Sequence, residues 1–133
     1  MITYRAGYKY QLAADYAVVV SFCPRETIAT DFIVLSSAGR LTIKRGYAWD
    51  GPSGPAIDTK NFMRGSLVHD ALYQLMREGH LPQTYRRDAD KELKRICLED
   101  GMSAMRAWWV YEGVRLGGGP SAARRKEEPI SAP

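Results

Sequence analysis

Residues 62–100 read "FMRGSLVHDALYQLMREGHLPQTYRRDADKELKRICLED", and the fold turns on whether this run is a pair of packed helices. Apolar residues recur at helical spacing over 62–78, with Asp58, Thr59 or Asn61 as caps and Gly79 as the stop. "HLPQT" turns the chain, and a second helix covers about 84–100. So short a turn requires the two helices to pack antiparallel. His69 and Tyr73 are four apart and share a face of the first helix, while Asp70 lies on the adjacent face. On the second helix Asp90 falls in line with Leu93 and Cys97, on the apolar stripe. Asp88 lines up with Lys91, Glu92 and Arg95, on the face expected to be solvated. His69 and Asp90 are equidistant from the turn at Gly79 and His80, so the hairpin sets an inward carboxylate level with an inward histidine.

On the C-terminal side a third helix covers about 102–116. Its Met102, Met105, Trp109 and Leu116 recur at helical spacing and are expected to be core. Three glycines and Pro120 end it, and residues 118–133, small, charged and proline-punctuated, are expected to be a disordered tail. On the N-terminal side, residues 46–61, "GYAWDGPSGPAIDTKN", form a glycine-rich loop in which Trp49 is the packing anchor. Residues 1–45 are β-rich. "YKYQL", "YAVVVSF", "DFIVLSS" and "LTIKR" predict three or four antiparallel strands, the last two joined as a hairpin through Ser37, Ala38 and Gly39. The expected architecture is α+β: a small antiparallel sheet, the loop, then a three-helix unit over 62–117, all one domain from 1 to 117.

Composition agrees with one packed domain. The chain has 133 residues, 45% of them hydrophobic, enough to bury a core. Cys23 and Cys97 stand in different segments, so neither a disulfide scaffold nor a metal-type pair is expected. The formal net charge of +4 permits phosphates or lipid headgroups as partners, and no nucleic-acid partner is expected. No apolar run reaches the roughly 18 residues that span a bilayer, and "MITYRAGYKYQL" lacks a signal-peptide core. Synthesis in a cytoplasm is the expectation.

An inward histidine beside an inward carboxylate is the base and orienter of a hydrolytic site: the carboxylate fixes the imidazole tautomer and stabilises its protonated form. A polar network that only locks two helices together is the alternative. A loop with exposed carbonyls next to a carboxylate suits Ca²⁺, which takes oxygen ligands; Asp70 with the loop around Trp49, Gly51 and Gly54 would supply them. A metal-dependent phosphohydrolase of the His-Asp type is excluded because no histidine precedes His69. A zinc site fails on ligand spacing.

Two resemblances follow from these residues. "YAWDGPSGPAIDTKNFMRGSLVHDALYQLMREG" with the later "RRDADKEL" resembles a phage- and prophage-borne family, domain of unknown function 1353, over about residues 40–117. "HDALY" is similar to the His-Asp-x-x-Tyr helix of secreted and prokaryotic phospholipases A₂. That second resemblance implies His69 as general base, Asp70 and loop carbonyls as Ca²⁺ ligands, Asp90 as orienter, and Tyr73 as its hydrogen-bond partner. It departs from those enzymes in having Val68 before His69 and no cysteine close by. Two functions are therefore expected to compete. One is a phage-encoded Ca²⁺-dependent lipid or ester hydrolase. The other is a non-enzymatic phage component of a tail, baseplate or lysis module, partnered by phage proteins and carried in the virion or released at lysis.

Overall fold

The structure, a computed structural model, describes residues 4–5, 10–49 and 60–123. Among them seven short strands come first: β1 (Tyr4–Arg5), β2 (Tyr10–Leu12), β3 (Tyr16–Val19), β4 (Ile28–Ala29), β5 (Ile33–Leu35), β6 (Arg40–Ile43) and β7 (Ala48–Trp49). Helices α1 (Lys60–Arg77), α2 (Arg86–Glu99), α3 (Ala104–Gly117) and α4 (Gly119–Ala122) follow, with a single 3₁₀ turn, Gln83–Tyr85, leading into α2. The α+β class is as the sequence predicts. Instead of one sheet of three or four strands there are two, ordered β1-β2-β7 and β3-β6-β5-β4, every pair antiparallel. The smaller sheet recruits Ala48 and Trp49 from the stretch expected to be loop, pairing Tyr10 with Trp49.

The hairpin β5–β6 pairs Ile33 with Ile43 and Leu35 with Leu41. All four side chains are fully buried, and the intervening Val34 and Thr42 are only half-buried. That period of two lays one face of the sheet on α1, where Leu67, Leu72, Leu75 and Met76 complete the same core. Each fully buried aliphatic side chain contributes about 1.5–3 kcal/mol.

The helices of the hairpin stop in the same way. After α1 the His80 amide donates to the Leu75 carbonyl and that of Gly79 to Met76. After α2 Met102 donates to Cys97, and Gly101 to Leu98. In both, the glycine has a positive φ, 79° and 96°. This pair of hydrogen bonds closes orphan carbonyls and needs a left-handed residue at its centre. Gly65 then lets α1 and α2 approach closely, since a Cβ there would lie 2.9 Å from Cys97 Sγ and 3.0 Å from Leu93 Cδ1.

Three expectations are corrected. The apolar stripe of α3 is not core: Met102 is buried, but Met105, Trp109 and Leu116 expose 79, 71 and 87% of their surface. The inward face of α3 is instead Ala107, Val110 and Val114, packed on Phe62, Leu93 and Cys97. The helix is apolar on two faces, and spacing alone does not say which one turns in. Glu92 is not solvated but 1% exposed, because the end of the larger sheet covers a second side of α2. Its carboxylate accepts from the Ser21 amide at 2.6 Å and from Arg95 Nε at 2.7 Å. The segment after 117 does not begin as a disordered tail: Gly119–Ala122 form a helical turn, with Ala122 fully buried in the main core. The rest of that segment, from 124 on, lies outside the described residues.

Candidate functional site

Asp90 is the centre of the site. It is fully buried, and donors from two other helices reach it. His69 Nε2 lies 2.7 Å from Oδ1. The Tyr73 hydroxyl donates to the same oxygen at 2.5 Å. From α3, Arg115 Nη1 donates to Oδ2 at 2.9 Å. The spacing of four on α1 brings the two rings together at a tilt of 39°, with centroids 4.0 Å apart.

Burial alone would raise the Asp90 pKa, but hydrogen bonds from His69, Tyr73 and Arg115 outweigh it and hold the carboxyl below its ordinary value. Asp90 is therefore an anion that can only accept. Two assignments follow. His69 Nε2 must carry a proton, so in the neutral ring the lone pair sits on Nδ1, an atom with no hydrogen-bond partner among the described residues. Tyr73 must donate. Burial first, then the Asp90 charge, push its phenol well above the usual range, so it stays protonated.

Arg86, four residues before Asp90 on α2, forms the outer layer. Its Nε donates to the Tyr73 hydroxyl at 3.1 Å, and its Nη2 donates to the carbonyls of Val114 and Arg115 at 2.7 and 2.9 Å. A cation on the last carbonyls of α3 satisfies groups the helix leaves open and complements its dipole. Gly118 follows, where a Cβ would lie 2.8 Å from the Tyr73 hydroxyl and 2.6 Å from the Val114 carbonyl. Only glycine lets the chain pass over Tyr73 at this distance. Beside this layer opens a polar cleft of about 330 Å³, lined by Gln83, Thr84, Arg86, Arg87, Asp88 and Arg115.

Of the residues singled out in the sequence, the structure brings His69, Asp90 and Tyr73 together. Asp70 is half-buried on α1. Trp49 is 3% exposed, and its Nε1 donates to Ser66 Oγ at 3.2 Å, which pins the start of the loop to α1 one turn before Asp70. Gly51 and Gly54 lie outside the described residues. The Asp70 carboxylate is a hard oxygen donor of the kind Ca²⁺ takes. Among the described residues no three His, Cys, Asp or Glu side chains converge as a metal site. Sequence reasoning missed Arg86 and Arg115. The first was signalled by its spacing of four from Asp90; the second carried no signal.

The features together define an α+β protein with a buried His-Asp pair braced by a tyrosine and two arginines. The chain belongs to the family described as protein of unknown function (DUF1353), whose model matches residues 26–114. No curated protein and no solved structure matches it.

Proposed function

We propose that the chain is a phage-encoded hydrolase of lipid or other ester bonds, with His69 as general base. The observation that carries this reading is the held imidazole: Nε2 is fixed on a buried anion at 2.7 Å while Nδ1 has no partner among the described residues. In the reaction Nδ1 takes a proton from water, whose oxygen attacks the ester carbonyl. Asp90 stays ionised and stabilises the imidazolium through Nε2–H. The Nδ1 proton then passes to the leaving alkoxide. Tyr73 and Arg115 keep Asp90 in place. Ca²⁺, held by Asp70 with carbonyls of the loop that begins at Trp49 and includes Gly51 and Gly54, would supply positive charge to the developing oxyanion.

The test is release of fatty acid from phospholipid vesicles with Ca²⁺, wild type against His69→Gln. A loss of roughly two to four orders of magnitude is expected, with Ca²⁺ raising the melting temperature of wild type but not of Asp70→Asn. Absence of turnover above the variant on both anionic and zwitterionic lipid sinks the reading.

One observation favours the second reading, a non-enzymatic phage tail, baseplate or lysis component. Both oxygens of Asp90 accept from donors that tie α1 and α3 to α2, which is all a structural lock requires. In that case His69→Gln changes stability only.

A further inference from the structure

Four large apolar side chains of α3 stand in solvent: Met105, Trp108, Trp109 and Leu116 expose 79, 51, 71 and 87% of their surface. At 100° per residue they fill an arc of about 100° on one side of the helix. Glu112, half-buried, is the acid within it. Beside this stripe α2 carries Arg87, Lys91 and Lys94, spaced four and three apart and so aligned on one face. Both ends of that basic ridge meet α3. Lys94 Nζ lies 5.6 Å over the Tyr111 ring, and Arg87 shares the polar cleft with Arg115. Arg106 flanks the other side of the stripe.

We propose that this face docks on an anionic phospholipid surface, the α3 stripe entering the boundary between headgroups and acyl chains and the α2 ridge resting on the phosphates. Charge complementarity selects this occupant. A second copy would set Arg87, Lys91, Lys94 and Arg115 against their own images. A bilayer surface meets them with phosphates and takes a convex apolar stripe without needing a matching groove. Tryptophan is the side chain most at home at that boundary. A patch of this kind on an isolated domain marks an interaction site. The inference does not rest on catalysis by His69.

Flotation of the full chain with vesicles of phosphatidylglycerol or of phosphatidylcholine tests it. Binding to phosphatidylglycerol is expected to be at least about tenfold tighter, to weaken as salt rises, and to shift tryptophan emission to the blue. Trp109→Ser with Leu116→Ser should reduce binding about tenfold or more. Lys91→Glu with Lys94→Glu should remove the preference for phosphatidylglycerol. These side chains are at the surface, so melting temperatures should stay close to wild type. Should the serine variant unfold, quenching of wild-type tryptophan by brominated acyl chains gives the same answer. Lack of both flotation and quenching overturns the proposal. So does a concentration-dependent dimer, lost in the serine variant, without lipid binding: the face then belongs to a second copy. Binding to an acidic protein but to neither vesicle overturns it too.

Discussion

Replacing Asp90 by Asn keeps the shape of the side chain and removes its charge. In wild type Oδ1 accepts from His69 and Tyr73, and Oδ2 accepts from Arg115. An amide oriented to keep the first two partners turns its NH₂ onto the guanidinium, donor against donor. Removing one member of a buried ion pair costs about 3–5 kcal/mol. Arg115 keeps 26% of its side chain exposed and can swing to water, which places the loss near the lower end, about 3 kcal/mol. For a chain of this length that is a drop of about 10 °C in melting temperature. The pH dependence carries the sharper signature. Because the folded pKa of Asp90 lies below its unfolded value, its contribution is complete above the unfolded pKa of about 3.9. It is lost as pH falls through the folded pKa. Melting curves followed by circular dichroism should show the gap between wild type and Asp90→Asn constant near pH 7 and closing in acid. A gap absent at pH 7, or undiminished at the lowest pH at which both proteins fold, refutes the assignment of Asp90 as a charged, stabilising centre.

Gly118→Ala should cost about 1–3 kcal/mol, because the new methyl collides with the Tyr73 hydroxyl and the Val114 carbonyl; chemical denaturation measures it. Glu92→Ala should cost about 1–3 kcal/mol by leaving the Ser21 amide without its acceptor; hydrogen exchange at that amide should rise with it. In native protein at pH 8, iodoacetamide should modify Cys23, which is exposed, and spare Cys97, whose thiol burial pushes up to about 12. Mass spectrometry should find one adduct in the native state and two in denaturant.

The helical hairpin was legible because each signal was local. Gly79 needed a left-handed cap, the turn was short, and Asp90 fell in register with Leu93 and Cys97. Those three facts placed His69 beside Asp90 without reference to the rest of the chain. Long-range contacts were not legible. Glu92 reads as solvated by helical period, and only the approach of Ser21 from the sheet buries it. Arg115 looks like any surface arginine until α3 folds back along α2. The two apolar faces of α3 were indistinguishable by spacing, and the smaller side chains of Ala107, Val110 and Val114 turned inward. Short inward residues let α3 lie close to α2, which Met105 and Trp109 would have held away. The metal reading turned on residues 50–59, which lie outside the described part of the chain.

Charge links the cleft, the network and the exposed face. Asp90 brings one negative charge to the network, and Arg115 alone is enough to pair it. Arg86 adds a second cation that bonds to neutral partners, the Tyr73 hydroxyl and two carbonyls. Arg87 adds a third at the cleft, where Asp88 is the acid that offsets it. Three arginines against Asp88 and Asp90 leave this region one positive charge in excess. Arg115 belongs to all three features at once: it holds Asp90, lines the cleft and, on the helical period, borders the Trp108 edge of the exposed stripe. A phosphate-bearing surface that engaged the stripe would therefore lie beside Arg115, the arginine paired with the carboxylate that His69 contacts.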